Sequence, residues 1–599
     1  MRFPSFRLIV DKTLKVATDY PIECITSVAG TVAAIQLSYQ STDKQWEQLL
    51  LRIVMTAALA LPSFLAVTIR SRFRRLAAQQ KYLEYGVIAM ILVIFFFSMD
   101  DSIKTKDVLR FFMLNTLAHL MVSCAGFINR GSTHAFWQFN KELFLRIVTA
   151  AIFSGVLFAG LAGALTALNE LFGLHMNGAW YFRLFATIAG IFNTWFFLSS
   201  VPQEAGELER DTDYPKVLKV FTQFVLVPLV TIYLIILLAY EAKIIIQWKL
   251  PQGWVSHLIL AYGVAGILSI LLVFPIRSTE GNHWIKAFAK WFYVLLLPLV
   301  ALMFVAIGKR IGVYGFTEER LIVLLLAIWL AAISVFYLLR PNGDIRIIPL
   351  SLATVALLLS FSAFKISEAS QRSRLKSLLI KNGMLVNHKA TPLKEGKKIS
   401  FADKKNISSV LYYLLENHGN SSVEPWFKTD NLEKKEYSAY TDAAKLVKSL
   451  NIEYVDNYTR EEDSTARYQW LNYNAKREAL SIAGYEYMIG MEDYMPINLE
   501  DHSPAGFTVY KTWRDSVKIA LGKDTIAAFD PHTLLNVLIK KYGSSLSSDQ
   551  QLPRTEMKQM IATDSWDITV YYNRISGSMD TFRSDGTLNF SGFILLKKK

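Results

Sequence analysis

The chain has 599 residues, too many for one ordinary domain, and 52% of them are hydrophobic. Most of the formal +14 charge lies in the first 365 residues, a series of apolar runs, so loops between those runs explain the cations better than a nucleic-acid partner does. Both cysteines, Cys24 and Cys124, sit inside apolar runs, so residues 366–599 must fold without a disulfide.

Residues 1–19 place Phe3, Phe6, Leu8, Ile9, Leu14 and Val16 among Arg and Lys. That pattern predicts a cytoplasmic amphipathic lead-in lying on a membrane surface, and no small-x-small site marks it as a cleaved signal. Eleven apolar runs follow, at roughly 20–39, 48–69, 83–99, 108–128, 146–169, 180–200, 217–240, 254–275, 287–308, 321–339 and 346–364. The tenth is the plainest. About 19 apolar residues from Leu321 to Leu339 lie between Arg320 and Arg340, enough to cross a hydrocarbon core roughly 30 Å thick. The expected fold class is therefore an all-α polytopic membrane bundle over 20–365, followed by a soluble α+β domain over 366–599.

Loop charge sets the expected orientation. With the N-terminus in the cytoplasm, about 20 Lys and Arg fall inside and about 10 outside, the early loops with Arg70, Arg72, Arg74 and Arg75 contributing most. Eleven spans then put the tail outside the cytoplasm. Glu23 and Arg52 lie near span ends, where they are expected to snorkel. Pro62, Pro228 and Pro298 fall within spans and are candidate kinks.

Polar residues inside spans are few and are the usual pointers to function. Asn115 and His119 share a helical face, as a ligand or proton-handling pair or as glue between helices. Before the tenth span stands Tyr314-Gly315-Phe316-Thr317-Glu318-Glu319-Arg320. Thr317 suits a helix N-cap, and Glu318 and Glu319 suit the positive end of the helix dipole. With Lys309, Arg310 and Arg320, the same residues make a candidate anion, headgroup or substrate contact. Asp100 and Asp101 are a weak candidate metal pair, with two solvated carboxylates as the plainer reading. There is no HExxH, P-loop, dinucleotide fingerprint or Cys/His metal spacing, so no catalytic residue and no cofactor is assigned.

In the tail, helices are expected at 367–381, 402–417 and 441–450, and strands from 478 onward. Alternation marks Val517, Ile519 and Leu521, then Ile568, Val570 and Tyr572, then Leu588 and Phe590. Asp585-Gly586 reads as a hairpin turn, and Asp530-Pro531 opens one helix ending at Gly543. Tyr485, Tyr487, Trp513, Tyr571 and Tyr572 either line a groove for glycan or peptide or belong to the core.

Two stretches carry a family resemblance. One is Asp213-Tyr214-Pro215-Lys216 with Phe221-Thr222-Gln223, Val227-Pro228-Leu229 and Tyr233; the other is Tyr314 to Arg320. Together they resemble the bacterial membrane-protein family catalogued as domain of unknown function 4153. The Tyr-Gly-x-Thr-Glu element is also similar to one in a sister uncharacterised family. The resemblance implies an integral protein of the bacterial cytoplasmic membrane and assigns no activity. The expected function is a non-catalytic envelope scaffold, sensor or conduit. Its partners would be the lipid bilayer and, through the outer domain, an envelope lipid, glycan or protein. A secondary transporter and a lipid-linked glycosyl or envelope-lipid transferase are the alternatives.

Overall fold

The computed structural model describes residues 6–39, 43–100, 102–128, 131–174, 176–247, 254–279, 282–429, 439–456, 468–476, 478–491, 506–511, 516–522, 524–542, 551–580 and 588–599. Among these, nine helices are long and apolar enough to cross a membrane. They are Lys44–Arg74, Ala78–Ser98, Thr133–Phe172, Gly178–Leu198, Lys216–Gln247, Val255–Arg277, His283–Tyr314, Glu318–Leu339 and Ile347–Lys381. The chain is a multi-pass membrane protein.

The count falls short of the eleven spans expected, for identifiable reasons. Both of the others are helices. Pro21–Leu37 has only 17 residues. Thr105–Cys124 has 20, but Lys106, Asp107 and Arg110 occupy its first two turns. The run at 83–99, among the shortest in the sequence, nevertheless belongs to a 21-residue apolar helix.

Packing divides the chain into two compact units, residues 1–398 with 406–454, and residues 399–405 with 455–599. In the first unit, a core of Tyr262, Phe292, Leu296, Met303, Ala327, Leu330 and Ile348 joins the last four long helices. Close approach there depends on missing side chains: a Cβ on Gly266 would lie 1.9 Å from a Phe292 ring carbon. Much of the remaining helix surface is apolar and outward. Ile152, Phe153 and Val156 are more than half exposed, as lipid-facing positions should be.

Two helices contain π turns, at Ile188–Asn193 and Thr222–Leu226. The second ends two residues before Pro228, whose missing N–H cannot continue the regular ladder. Pro62 and Pro298 lie inside their helices as expected. Glu23 corrects its expectation. It is 1% exposed and accepts a 2.5 Å hydrogen bond from Thr68, whose hydroxyl also meets that of Tyr85. It is held between helices rather than reaching for water.

Loops gather at two ends of the helices. At one end, Arg72 donates to the Asp19 carbonyl, Arg346 to those of Phe127 and Gly131, and His134 lies 2.6 Å from that of Asp211. At the other, Arg183 donates to Ser38, Arg52 to the Asp100 carbonyl, and the Ile103 amide to Gln48.

Helix Ile347–Lys381 runs 35 residues without a break and stops where Gly383 adopts φ 70°. The span and the tail helix predicted separately are one element, because no Gly or Pro separates them. Helices Phe401–His418 and Ala439–Ser449 follow at the predicted places.

The second unit is β-rich. Strands Tyr487–Met491, Leu588–Lys598, Trp566–Asp580, Tyr468–Ala475 and Gln551–Leu552 lie in that order, with Lys558–Ala562 also paired to Trp566–Asp580. A separate antiparallel sheet holds Phe507–Lys511, Val517–Leu521 and Asp524–Phe529. Helix Pro531–Tyr542 sinks Leu534, Leu535 and Leu538 into the shared core with Ile568, Val570 and Tyr572. One pair in the larger sheet is parallel, Tyr468–Ala475 with Gln551–Leu552, and the rest are antiparallel. The Asp585-Gly586 turn lies outside the described residues.

Candidate functional site

Helix His283–Tyr314 ends at Gly315, which takes φ 71°, a backbone that L side chains rarely adopt. The short loop to Glu318 is clamped by the last long helix. Gln371 Nε2 donates to the carbonyls of Tyr314 (2.9 Å) and Phe316 (2.8 Å), and Ser370 Oγ accepts from the Phe316 amide at 3.0 Å. A Cβ on Gly315 would stand 3.0 Å from both clamping side chains. Arg320 turns back to donate to the Gly315 carbonyl at 2.8 Å, and its guanidinium lies over the Tyr314 ring. Thr317 stands at the N-cap position with extended backbone, but its side chain makes no cap hydrogen bond. Gln371, Ser370 and Arg320 tie down the loop.

Glu318 does more than favour the helix dipole. Its side chain is 5% exposed and accepts a hydrogen bond from the phenol of Tyr413. His418, at the end of the helix Phe401–His418, brings Nε2 to 3.2 Å from Glu318 Oε1, with its side chain equally buried. The pair is out of hydrogen-bond alignment, and neither atom has another hydrogen-bond partner among the described residues. Glu368 stands on the other side of the imidazole, 4.0 Å from Nδ1. Burial, and then the adjacent Glu318 charge, push the Tyr413 hydroxyl well above the usual phenol range, so it stays a donor. A carboxylate, an imidazole and a phenol thus lie together, where a small rotation makes or breaks a polar contact. Buried polar atoms left unaligned are uncommon and call for a reason.

The other predicted residues are placed differently. Glu319 and Lys309 are exposed, and Arg310 is half-buried. Asn115 donates to the Ala58 carbonyl at 3.3 Å. His119 is exposed, with Nδ1 2.8 Å from the Asn115 carbonyl of its own helix. The shared face exists, but the two side chains do not meet there. Asp100 pairs with Lys106 at 2.8 Å and Lys104 at 3.3 Å; Asp101 lies outside the described residues. No group of three or more metal-type ligands occurs among the described residues. In the tail, Tyr572 is core, Tyr571 stacks on Phe593, Tyr485 bonds Thr569, and Tyr487 packs on Phe507. Trp513 lies outside the described residues. Sequence reading missed Tyr413 and His418, which are about a hundred positions from Glu318 and form no spacing motif with it.

The other family stretch is also pinned in place. Tyr214 stacks on Trp137 with ring centroids 5.6 Å apart, and its hydroxyl donates to the Leu272 carbonyl. Buried Lys141 lies 3.2 Å from Asp211 Oδ2 and 3.3 Å from Glu142. Burial would raise the Asp211 carboxyl, but the Asp213 amide and Lys141 outweigh it and hold the group below its ordinary range. Its contribution is complete above the ordinary aspartate pKa and is lost as pH falls through the lowered value. Asp211→Ala is expected to cost about 2 kcal/mol at neutral pH, less than the usual buried-pair loss because Glu142 remains. Lys141→Met removes the buried charge and leaves only the part-exposed Asp211 and Glu142, so it should cost less than Asp211→Ala. Thermal unfolding of both variants in detergent checks the asymmetry.

The long apolar helices define a multi-pass membrane protein, with these two loops pinned in place. The model of the family described as "Domain of unknown function (DUF4153)" matches residues 27–392, and the chain belongs to that family. It is also similar to "Uncharacterized protein PM1469" of Pasteurella multocida (strain Pm70), 29% identical over 168 residues. That alignment covers 27% of this chain and 28% of the relative's length. No solved structure matches.

Proposed function

We propose that the protein is a non-catalytic scaffold or sensor of the bacterial cytoplasmic membrane. Its N-terminus lies in the cytoplasm, its tail lies beyond the membrane, and its C-terminal domain binds a ligand or partner. The buried contact of Glu318 with His418 and Tyr413 carries this reading. It joins the start of helix Glu318–Leu339, which carries the family motif, to a tail helix through polar atoms that are close but misaligned. A small rotation would align them, the kind of change a coupling element uses. Loop charge supports the orientation. With this sidedness about 20 loop Lys and Arg fall inside against about 10 outside, and Arg72, Arg74 and Arg346 lie in the inside loops.

In cells where deleting the gene gives a phenotype, Glu318→Gln and His418→Ala should each reproduce it at wild-type membrane levels. Wild-type behaviour of both variants, with the deletion still defective, rejects the coupling reading.

A further inference from the structure

A second site lies away from the Glu318 joint. Four helices meet around a cavity of about 360 Å³. They are the end of Val255–Arg277, the start of His283–Tyr314, the end of Glu318–Leu339 and the start of Ile347–Lys381. Among the described residues its charge is of one sign: Arg277, Lys286 and Lys290 line it, and no carboxylate does. Asp344, the nearby acid of the following loop, is already committed to Arg346 at 2.5 Å. Arg277 is oriented by the Pro341 carbonyl (3.3 Å) and Asn342 Oδ1 (3.4 Å), with its guanidinium over the Phe274 ring. Five donors on a fixed fork leave several for an incoming anion. Lys286 and Lys290 are exposed, one helical turn apart on the same helix, and have no ion pair among the described residues.

The rest of the cavity is apolar. Ile270, Leu271, Ile285 and Leu338 line it, as do the rings of Tyr293 and Tyr337, stacked on each other with centroids 5.4 Å apart. Trp284 and Trp291 project outward from the lysine-bearing helix, 39% and 59% exposed. Exposed tryptophans at a helix end mark the depth where acyl chains give way to headgroups. A cationic rim over an apolar slot at that depth matches an amphiphile with an anionic head. A soluble anion would have no use for the apolar walls.

We infer that this cavity binds one anionic glycerophospholipid, its phosphate between Arg277, Lys286 and Lys290 and its acyl chains along the Ile270 and Leu338 walls. The volume suits a headgroup with the first part of its chains. The site is independent of the coupling role proposed above.

Native mass spectrometry of the full-length protein, with phosphatidylglycerol or phosphatidylcholine added in detergent, tests this. Wild type should retain one phosphatidylglycerol in preference to phosphatidylcholine. Lys286→Gln with Lys290→Gln should lower phosphatidylglycerol retention roughly thirtyfold, the usual weight of two basic residues at an anionic surface. Phosphatidylcholine retention should not change. Lys376→Gln, which removes an exposed cation elsewhere, should leave both lipids at wild-type levels. Equal retention of the two lipids by wild type, or an unchanged preference in the double variant, overturns the proposal. Displacement of phosphatidylglycerol by an equal concentration of inorganic phosphate also overturns it, in favour of a soluble-anion site.

Discussion

Glu318→Ala is expected to release the end of helix Phe401–His418 from the first unit while leaving the spans intact. The substitution removes the charged acceptor of the Tyr413 hydroxyl and takes the carboxylate away from the buried His418 imidazole, whose Nε2 is not aligned with it. Leaving a buried donor unpaired costs about 1–3 kcal/mol, and more beside a charge, so a total near 3 kcal/mol is expected. That is roughly a hundredfold in a local opening equilibrium. Hydrogen exchange of the full-length protein should show amides 406–418 losing protection by that factor, with those of Thr133–Phe172 unchanged. Glu318→Gln keeps an acceptor for Tyr413 and should lose less. Unchanged protection at 406–418 in Glu318→Ala would mean the joint is not holding the helix.

The second large effect is in the β-rich unit. Strands Trp566–Asp580 and Leu588–Lys598 change register between Tyr572 and Arg574, leaving Asn573 as the extra residue of a bulge. Gly592 sits opposite. A Cβ there would stand 2.0 Å from the Tyr571 carbonyl oxygen and 2.9 Å from the Tyr572 Cα. Both are backbone atoms, so no side chain can swing aside. Overpacking a core costs about 1–3 kcal/mol, and the backbone origin of this clash puts Gly592→Ala at about 3 kcal/mol. The thermal midpoint of exchange across both strands should fall, and the spans should keep theirs. A wild-type midpoint would show that the two strands can separate freely at the bulge.

The parts of the architecture that were legible in the sequence were those set by local rules. Lipid demands about 20 apolar residues per crossing, so the runs were visible by length alone. Alternation exposed the strands around Ile519, Val570 and Phe590, and Asp530-Pro531 announced a helix whose Asp530 side chain does accept from the His532 amide. What stayed hidden depends on contacts distant in sequence. His418 reads as a lone histidine at a helix end and Tyr413 as one aromatic of several; only folding places them on Glu318. Asn115 and His119 show the converse. Helical spacing gave them a common face, but their hydrogen bonds go to main-chain carbonyls. Glu23 lies near a helix end, which by itself implies water, but Thr68 lies across from it and only the fold shows that. The cationic cavity was equally invisible, since Arg277, Lys286 and Lys290 look like ordinary loop-flanking charges until Leu338 and Ile345 close around them.

Cysteine labelling in intact spheroplasts tests the proposed sidedness most directly. Cys24 and Cys124 are 4% and 2% exposed, so their background should be low. A membrane-impermeant maleimide should modify Lys540→Cys, exposed in the C-terminal unit, and should reach Ala77→Cys, exposed in the first cationic loop, only after permeabilisation. Labelling of Ala77→Cys in intact cells with Lys540→Cys protected would contradict the account.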